Sequence, residues 1–159
     1  MNANYRLRQV TLNDAAQLQE SCWPNWSIEA VRDLLQRVDG ISRRNRGLGI
    51  VAYNEADILG YGQLTVWPRT TEISDLIVTP GYRSHGIGTA IILHLIDKVR
   101  AWHLPQVEIG VALNNPRALA LYQRLGFQED RIINLDLGHG VEPVMYLTMS
   151  VTQEIHSPE

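Results

Sequence analysis

Asp75-Leu76-Ile77-Val78-Thr79-Pro80-Gly81-Tyr82-Arg83-Ser84-His85-Gly86-Ile87-Gly88-Thr89-Ala90 is the stretch that decides the fold. The apolar run ending at Val78 reads as the end of a buried strand, and Pro80-Gly81 as a turn. Ile87, Ile91, Leu95, Val99 and Trp102 then recur as the buried stripe of a helix, widened by Ala90, Ile92 and Ile96. A strand, a glycine-bearing loop and a helix in succession leave free backbone N–H groups at a helix N-terminus, a geometry that receives phosphate oxygens. Gly86 and Gly88 have no Cβ, so a pyrophosphate can come close to the chain. A plain turn with glycines for its dihedrals would look the same. Two familiar phosphate motifs are absent. The dinucleotide fingerprint needs a third glycine where Ile91 stands, and the P-loop needs a lysine after Gly88, which is followed by Thr89 and Ala90.

Outward from this stretch, Tyr5 to Val10 alternates as a short strand. Thr11 is placed to cap a helix with Asp14 in its first turn, and Trp23-Pro24 ends it. Ser27 restarts a helix with Ile28, Val31, Leu34, Leu35 and Val38 on one side, which Asp39-Gly40 is expected to stop. Leu48 to Tyr53 and Ile58 to Trp67 form a hairpin signature, with Gly60 and Gly62 allowing a close backbone approach. Thr71 to Val78 is a further strand. After the long helix come a strand from Val107 to Leu113, a helix from Pro116 to Leu125, and a closing hairpin of Gln128 to Leu137 and Val144 to Met149. The expectation is an α/β (α+β) chain with a sheet flanked by helices: one domain over residues 1–149 and a polar tail over 150–159.

The 159 residues carry 14 basic and 17 acidic side chains, for a net charge of -3. That balance argues against a nucleic-acid partner. Arg43, Arg44 and Arg46 are a local exception, read as a solvated loop. The single cysteine, Cys22, excludes an internal disulfide and disfavours a structural metal cluster. No run reaches the about 18 apolar residues of a membrane span, and Met1 to Gln9 lacks the apolar core of a secretory signal. The expected location is the cytoplasm, with no membrane partner.

The segment from Arg83 to Ala90 has the form R-x-x-G-x-G-x-A after a strand and a Pro-containing turn, and resembles the acetyl-CoA-binding motif of the GNAT family of N-acetyltransferases. Downstream, Asn114-Asn115-Pro116-Arg117-Ala118-Leu119-Ala120-Leu121-Tyr122-Gln123-Arg124-Leu125-Gly126-Phe127 resembles that family's N-x-x-A-x-x-L-Y-x-x-x-G-F segment. The two motifs stand in the right order, and the order of strands and helices matches over nearly the whole chain. The resemblance implies a single GNAT-type domain with a mixed, mostly antiparallel central sheet and helices on both faces. It implies acetyl-CoA as co-substrate, no metal, and transfer of an acetyl group to an amine by direct attack.

On that resemblance, Leu76, Ile77 and Val78 would pair main-chain groups with the pantetheine arm, while their side chains serve the core. Ser84, His85, Gly86, Ile87, Gly88 and Thr89 match the pyrophosphate loop, with Arg83 at the motif's Arg/Gln position. The His85 side chain is read as solvated. Asn115 matches a cofactor contact, and Asn114 or Asn115 caps the next helix before Pro116. Tyr122 matches the tyrosine near the thioester sulfur, where a phenol can protonate a leaving thiolate; a core aromatic is the plainer reading. For the general base the order is Glu72, then Glu108, then Asp75, with a water chain as the rival to all three. Asp75 is expected on the opposite face of a regular strand from Glu72. The ribosomal-protein branch of the family has its base where this chain has Gly110, so this sequence departs from that branch's pattern. Trp23, Asn25, Trp26, Tyr61, Trp67 and His139 are candidates for the acceptor wall, and Trp23 and Trp26 can equally pin a loop. A small-molecule amine or a peptide N-terminus is the expected acceptor. A homodimer stays open, as does a CoA-binding sensor without catalysis.

Overall fold

A computed structural model describes residues 4–136 and 138–151. Seven strands form one sheet in the order β1-β2-β3-β4-β5-β7-β6. They are β1 (Arg6–Gln9), β2 (Gly47–Tyr53), β3 (Ile58–Val66), β4 (Thr71–Val78), β5 (Gln106–Ala112), β6 (Gln128–Asp136) and β7 (Val141–Ser150). The helices are α1 (Ala15–Ser21), α2 (Ile28–Arg43), α3 (Ile87–Ala101) and α4 (Pro116–Arg124). Every neighbouring pair of strands is antiparallel except β4 and β5. The expected fold class is the observed one.

Alternation along the strands sends side chains to two cores. On one side Ile50, Leu59, Leu64, Ile73, Ile109 and Leu147 pack with Ile87, Ile91, Leu95 and Val99 of α3 and with Tyr122 of α4. On the other, Val51, Ile58 and Tyr61 pack with Leu18 of α1 and Val31, Leu34, Leu35 and Val38 of α2. A bidentate pair from Arg8 to the Asp14 carboxylate, both bonds 2.8 Å, ties β1 to the turn before α1. Helices α1 and α2 pack mainly on β2 and β3, with Ile77 near the end of β4 also against their core, so the same face of β4, β5 and β7 around Glu72 and Glu108 is the less covered part of the sheet.

The glycines of β3 do let a neighbour approach. A Cβ on Gly62 would lie 2.5 Å from Cγ2 of Ile91, so α3 rests directly on the backbone of β3. Gly62→Ala is expected to cost about 1–3 kcal/mol through overpacking. A denaturant series checks this: the midpoint should fall while the m-value holds.

Four sequence expectations are corrected. Gly40 does not stop α2, which runs on to Arg43. The Arg43–Asp39 pair (2.9 Å) and a bond from Nε of Arg44 to the Gly40 carbonyl (3.1 Å) stabilise the extra turn. Arg43 and Arg44 therefore finish a helix rather than populate a loop. Trp102 is not part of the buried stripe of α3; it follows the last helical residue and is partly exposed. Ser150 belongs to β7, and Val151 is buried with its N–H bonded to the Pro105 carbonyl at 2.9 Å, so the sheet includes the start of the expected tail. The rest of that tail, 152–159, lies outside the described residues.

Candidate active site

The parallel pair β4–β5 is joined only at Glu72 opposite Glu108 and Ile73 opposite Ile109. Beyond that point the strands separate. Ser74, Ile77 and Val78 continue to pair with β3, and Gly110 to Ala112 with β7, but not with each other. Backbone groups turned into this notch need partners from outside the sheet, because a sequestered peptide N–H or C=O is costly when unpaired. The notch opens toward the C-terminal end of β4, where the glycine loop begins. Leu76 and Val78 point their side chains into the α3 core and Ile77 into the α2 core.

In the loop, Ser84 and Gly86 both have positive φ, 66° and 81°. Gly86 is the residue before α3 and lies in the left-handed region, which glycine enters without steric cost. The turn aims the first N–H groups of α3, those of Ile87, Gly88 and Thr89, away from the helix with no intrahelical partner. Arg83 donates from Nε to the Val78 carbonyl at 3.2 Å, which folds it back along the loop. His85 is exposed and meets the Tyr82 ring edge-on at 6.0 Å. Arg117, given no role from sequence, reaches Oγ of Ser84 at 3.5 Å from the first turn of α4. Its position at the glycine loop depends on where α4 lies in the fold, which no local pattern announces.

Asn115, not Asn114, caps α4: its side chain accepts from the Ala118 N–H at 3.2 Å, with Pro116 first in the helix. The cap aims the helix so that Tyr122 enters the core on the α3 side, 7% exposed, with its ring 6.3 Å from that of Phe127. Burial pushes the phenol above its ordinary pKa. The Tyr122 hydroxyl has no hydrogen-bond partner among the described residues, yet it is not sealed from solvent.

The open face of the sheet gathers the three candidate bases. Glu72 accepts from Nε1 of Trp67 at 3.0 Å. Its pKa is raised, first by desolvation and then by the charges of Glu108 and Asp75, against the Trp67 bond and the charge of Arg131. Asp75 is not on the opposite face. It has φ of 54°, and β4 carries an extra residue between the pairs Tyr61–Ile77 and Gln63–Ser74. This bulge turns the Asp75 carboxylate toward the side of Glu72. Crowding by protein raises the pKa of Asp75, opposed by the Ser74 hydroxyl and by Arg37. Glu108 is buried and ion-paired with Arg131 at 3.0 Å. Of the three, Glu72 alone is both free of a direct ion pair with a cation and within the joined part of the strands, one residue before the Ile73–Ile109 step where the joining ends. Gly110 is covered by Tyr146; a Cβ there would lie 3.2 Å from the Tyr146 ring, so the ring fills the space above the strand.

The aromatic candidates divide. Trp23 is buried in the α1–α2 core and meets Tyr61 edge-on at 5.3 Å. Trp26 stacks on Trp23 at 5.0 Å and is 41% exposed, so the pair pins the loop between α1 and α2 while showing one ring outward. Trp67 is 51% exposed and borders the Glu72 carboxylate directly. Tyr61 is fully buried, its hydroxyl spent on Gln63 at 3.0 Å. Asn25 is exposed, and His139 pairs with Glu142 at 3.1 Å in the β6–β7 turn. Burial pushes the Cys22 thiol up to about 11, which keeps it protonated and a poor nucleophile. No group of three or more potential metal ligands occurs among the described residues. No helix among them is long and apolar enough to cross a membrane.

Comparison with known proteins accords with this architecture. An uncharacterised N-acetyltransferase of Methanocaldococcus jannaschii is 37% identical over 62 residues, covering 39% of this chain and 27% of that protein. The ribosomal protein bS18-alanine N-acetyltransferase of Escherichia coli is 36% identical over 58 residues, covering 36% of this chain and 39% of that one. The match thus spans well under two thirds of either relative. In structure, the E. coli S18-alanine N-acetyltransferase superposes with a TM-score of 0.74 at 19% identity, over 98% of this chain and 99% of that one. An acetyltransferase from Salmonella typhimurium, solved with its cofactor acetyl-CoA, gives 0.75 at 16% identity, over 99% of both chains. The sequence profile of the acetyltransferase (GNAT) family matches residues 12–127, and with most of its length inside that profile the chain belongs to this family.

Proposed function

We propose that the chain is an acetyl-CoA-dependent N-acetyltransferase acting by direct attack on a primary amine of a small molecule or peptide. The observation that carries this reading is the notch between β4 and β5, with free helix N–H groups at one end and Glu72 and Tyr122 on opposite faces of its strands. The unpaired edge of β4 suits the amides of a pantetheine arm, and the amides of Gly86, Ile87, Gly88 and Thr89 suit a pyrophosphate. Arg83 and Arg117 add positive charge beside that loop. Acetyl-CoA would supply the activated acetyl group as a thioester.

Glu72 takes the proton that leaves the attacking amine, aided by its raised pKa. A backbone N–H from the unpaired part of β4 receives the charge that develops on the carbonyl oxygen. Tyr122 gives its proton to the sulfur as the C–S bond breaks, and the phenol regains it from solvent. The acetyl group passes from sulfur to nitrogen, and no acyl-enzyme is required. That agrees with a Cys22 thiol held protonated. Trp67 and the outer ring of Trp26 form the aromatic side of the acceptor path.

Calorimetric titration with acetyl-CoA, followed by thiol release against a panel of amines and peptides, tests this reading. Saturable binding with amine-dependent release is expected. Binding with no release from any amine would favour a CoA sensor, and absence of binding would reduce the glycine loop to a turn.

A further inference from the structure

We infer that Arg131, contributed by the edge strand β6, is a positioning residue: it holds Glu108 as a paired carboxylate, so that Glu72 is the carboxyl that exchanges a proton on the open face. The catalytic consequence rests on the proposed role of Glu72, while the test below reads Glu72 without turnover.

The geometry that seats Arg131 is elaborate for a residue on an exposed strand. Its guanidinium bonds Glu108 of β5 at 3.0 Å and Asp130 of its own strand at 2.9 Å, and lies over the Tyr146 ring of β7 at 4.7 Å. The register of β6 against β7 shifts between Glu129 and Arg131, which sets Arg131 opposite Tyr146. Tyr146 in turn lies over the bare backbone of Gly110. A bulge, a glycine and an aromatic face together place one cation beside Glu108. A solvated arginine needs none of them.

The reason for such a device is the step Glu72–Glu108. The two carboxylates stand directly opposite each other on adjacent strands, where like charges repel. The Glu108 side chain is only 8% exposed, so leaving it charged and unpaired would be costly. With Arg131 in place, a guanidinium offsets the carboxylate that faces Glu72. Without it, Glu72 faces that charge uncompensated, which favours its protonated form. The groups facing Glu72 are Glu108 from β5, Asp75 from β4, Arg131 from β6, Tyr146 from β7 and the Trp67 indole beyond β3. Arg37 of α2 acts on Asp75.

The Trp67 indole N–H donates to Glu72, so its nitrogen reports that carboxyl directly. Protein labelled with 15N-tryptophan, with the Trp67 signal assigned through Trp67→Phe, is titrated across acidic and neutral pH. In Arg131→Met the midpoint should rise by roughly one pH unit, the scale of a neighbouring opposite charge. In Glu108→Gln it should fall, because the repulsion is gone and the guanidinium is released toward Glu72. The double variant should return close to the native midpoint, and Arg131→Lys, which keeps the charge, should stay near it. A merely structural role would not move the two single variants in opposite directions. Shifts in the same direction, or no shift in either, overturn the inference; if Arg131→Met does not fold, the downward shift in Glu108→Gln decides. If the midpoints move as expected while the acid limb of kcat/KM does not follow them, the inference stands and the proposed base falls.

Discussion

Tyr122→Phe is expected to lower kcat by about 10²–10⁴-fold, the range that a positioned proton donor contributes, while acetyl-CoA affinity changes little. The phenyl ring can keep its place in the α3–α4 core beside Phe127, so packing is retained. The hydroxyl has no protein partner among the described residues, so removing it strands no buried donor or acceptor. Stability should therefore hold within about 1 kcal/mol, the net worth of an ordinary hydrogen bond. Because burial raises the phenol's pKa, Tyr122 stays protonated throughout the range in which an amine becomes nucleophilic. The native enzyme should accordingly show no alkaline loss of kcat from this group below about pH 10, the reference value for tyrosine. Steady-state kinetics with saturating acetyl-CoA, paired with calorimetric affinity, separates the roles. Unchanged turnover would make Tyr122 a core aromatic and nothing more.

The features legible in the sequence were those set by local chemistry. The glycine loop and α3 follow from glycine, proline and helical spacing, all within one short segment. Ser27 and Asn115 do cap α2 and α4, because a cap depends only on the residues beside it. What escaped depends on partners distant in sequence. The separation of β4 from β5 is a property of two strands with a whole helix between them. The bulge at Asp75 exists only relative to the register of β3, so alternation along β4 alone put that carboxylate on the wrong face. Gly40 looked like a stop, yet a glycine inside a helix costs only about 1 kcal/mol, part of which the Asp39–Arg43 pair and the Arg44–Gly40 bond offset. Arg131 and Arg117 were invisible because arginine on an exposed strand or helix looks solvated until its neighbours are known.

Glu72→Gln gives the second large effect, and its sign separates catalysis from stability. A base must be deprotonated to act, so native kcat/KM should rise with pH through the pKa of Glu72. That pKa lies above the usual carboxylate value because of desolvation and the nearby charges of Glu108 and Asp75. Glutamine has no proton to exchange, so the variant should lose this limb and about 10²–10⁴-fold in kcat/KM. Stability should move the other way. A carboxyl whose pKa is raised on folding favours the native state below its unfolded pKa, and that contribution is lost as pH rises through the folded value. At neutral pH the Glu72 carboxylate is therefore a burden to the fold. Glutamine removes the charge and can still accept from the Trp67 indole. Glu72→Gln should unfold at the same temperature as the native protein or higher at pH 7, with the difference shrinking toward pH 4. Activity lost with stability kept or gained is what a base held in a repulsive site requires. A variant that lost both would mark Glu72 as structural, and one that kept the native pH–rate profile would pass the proton to water.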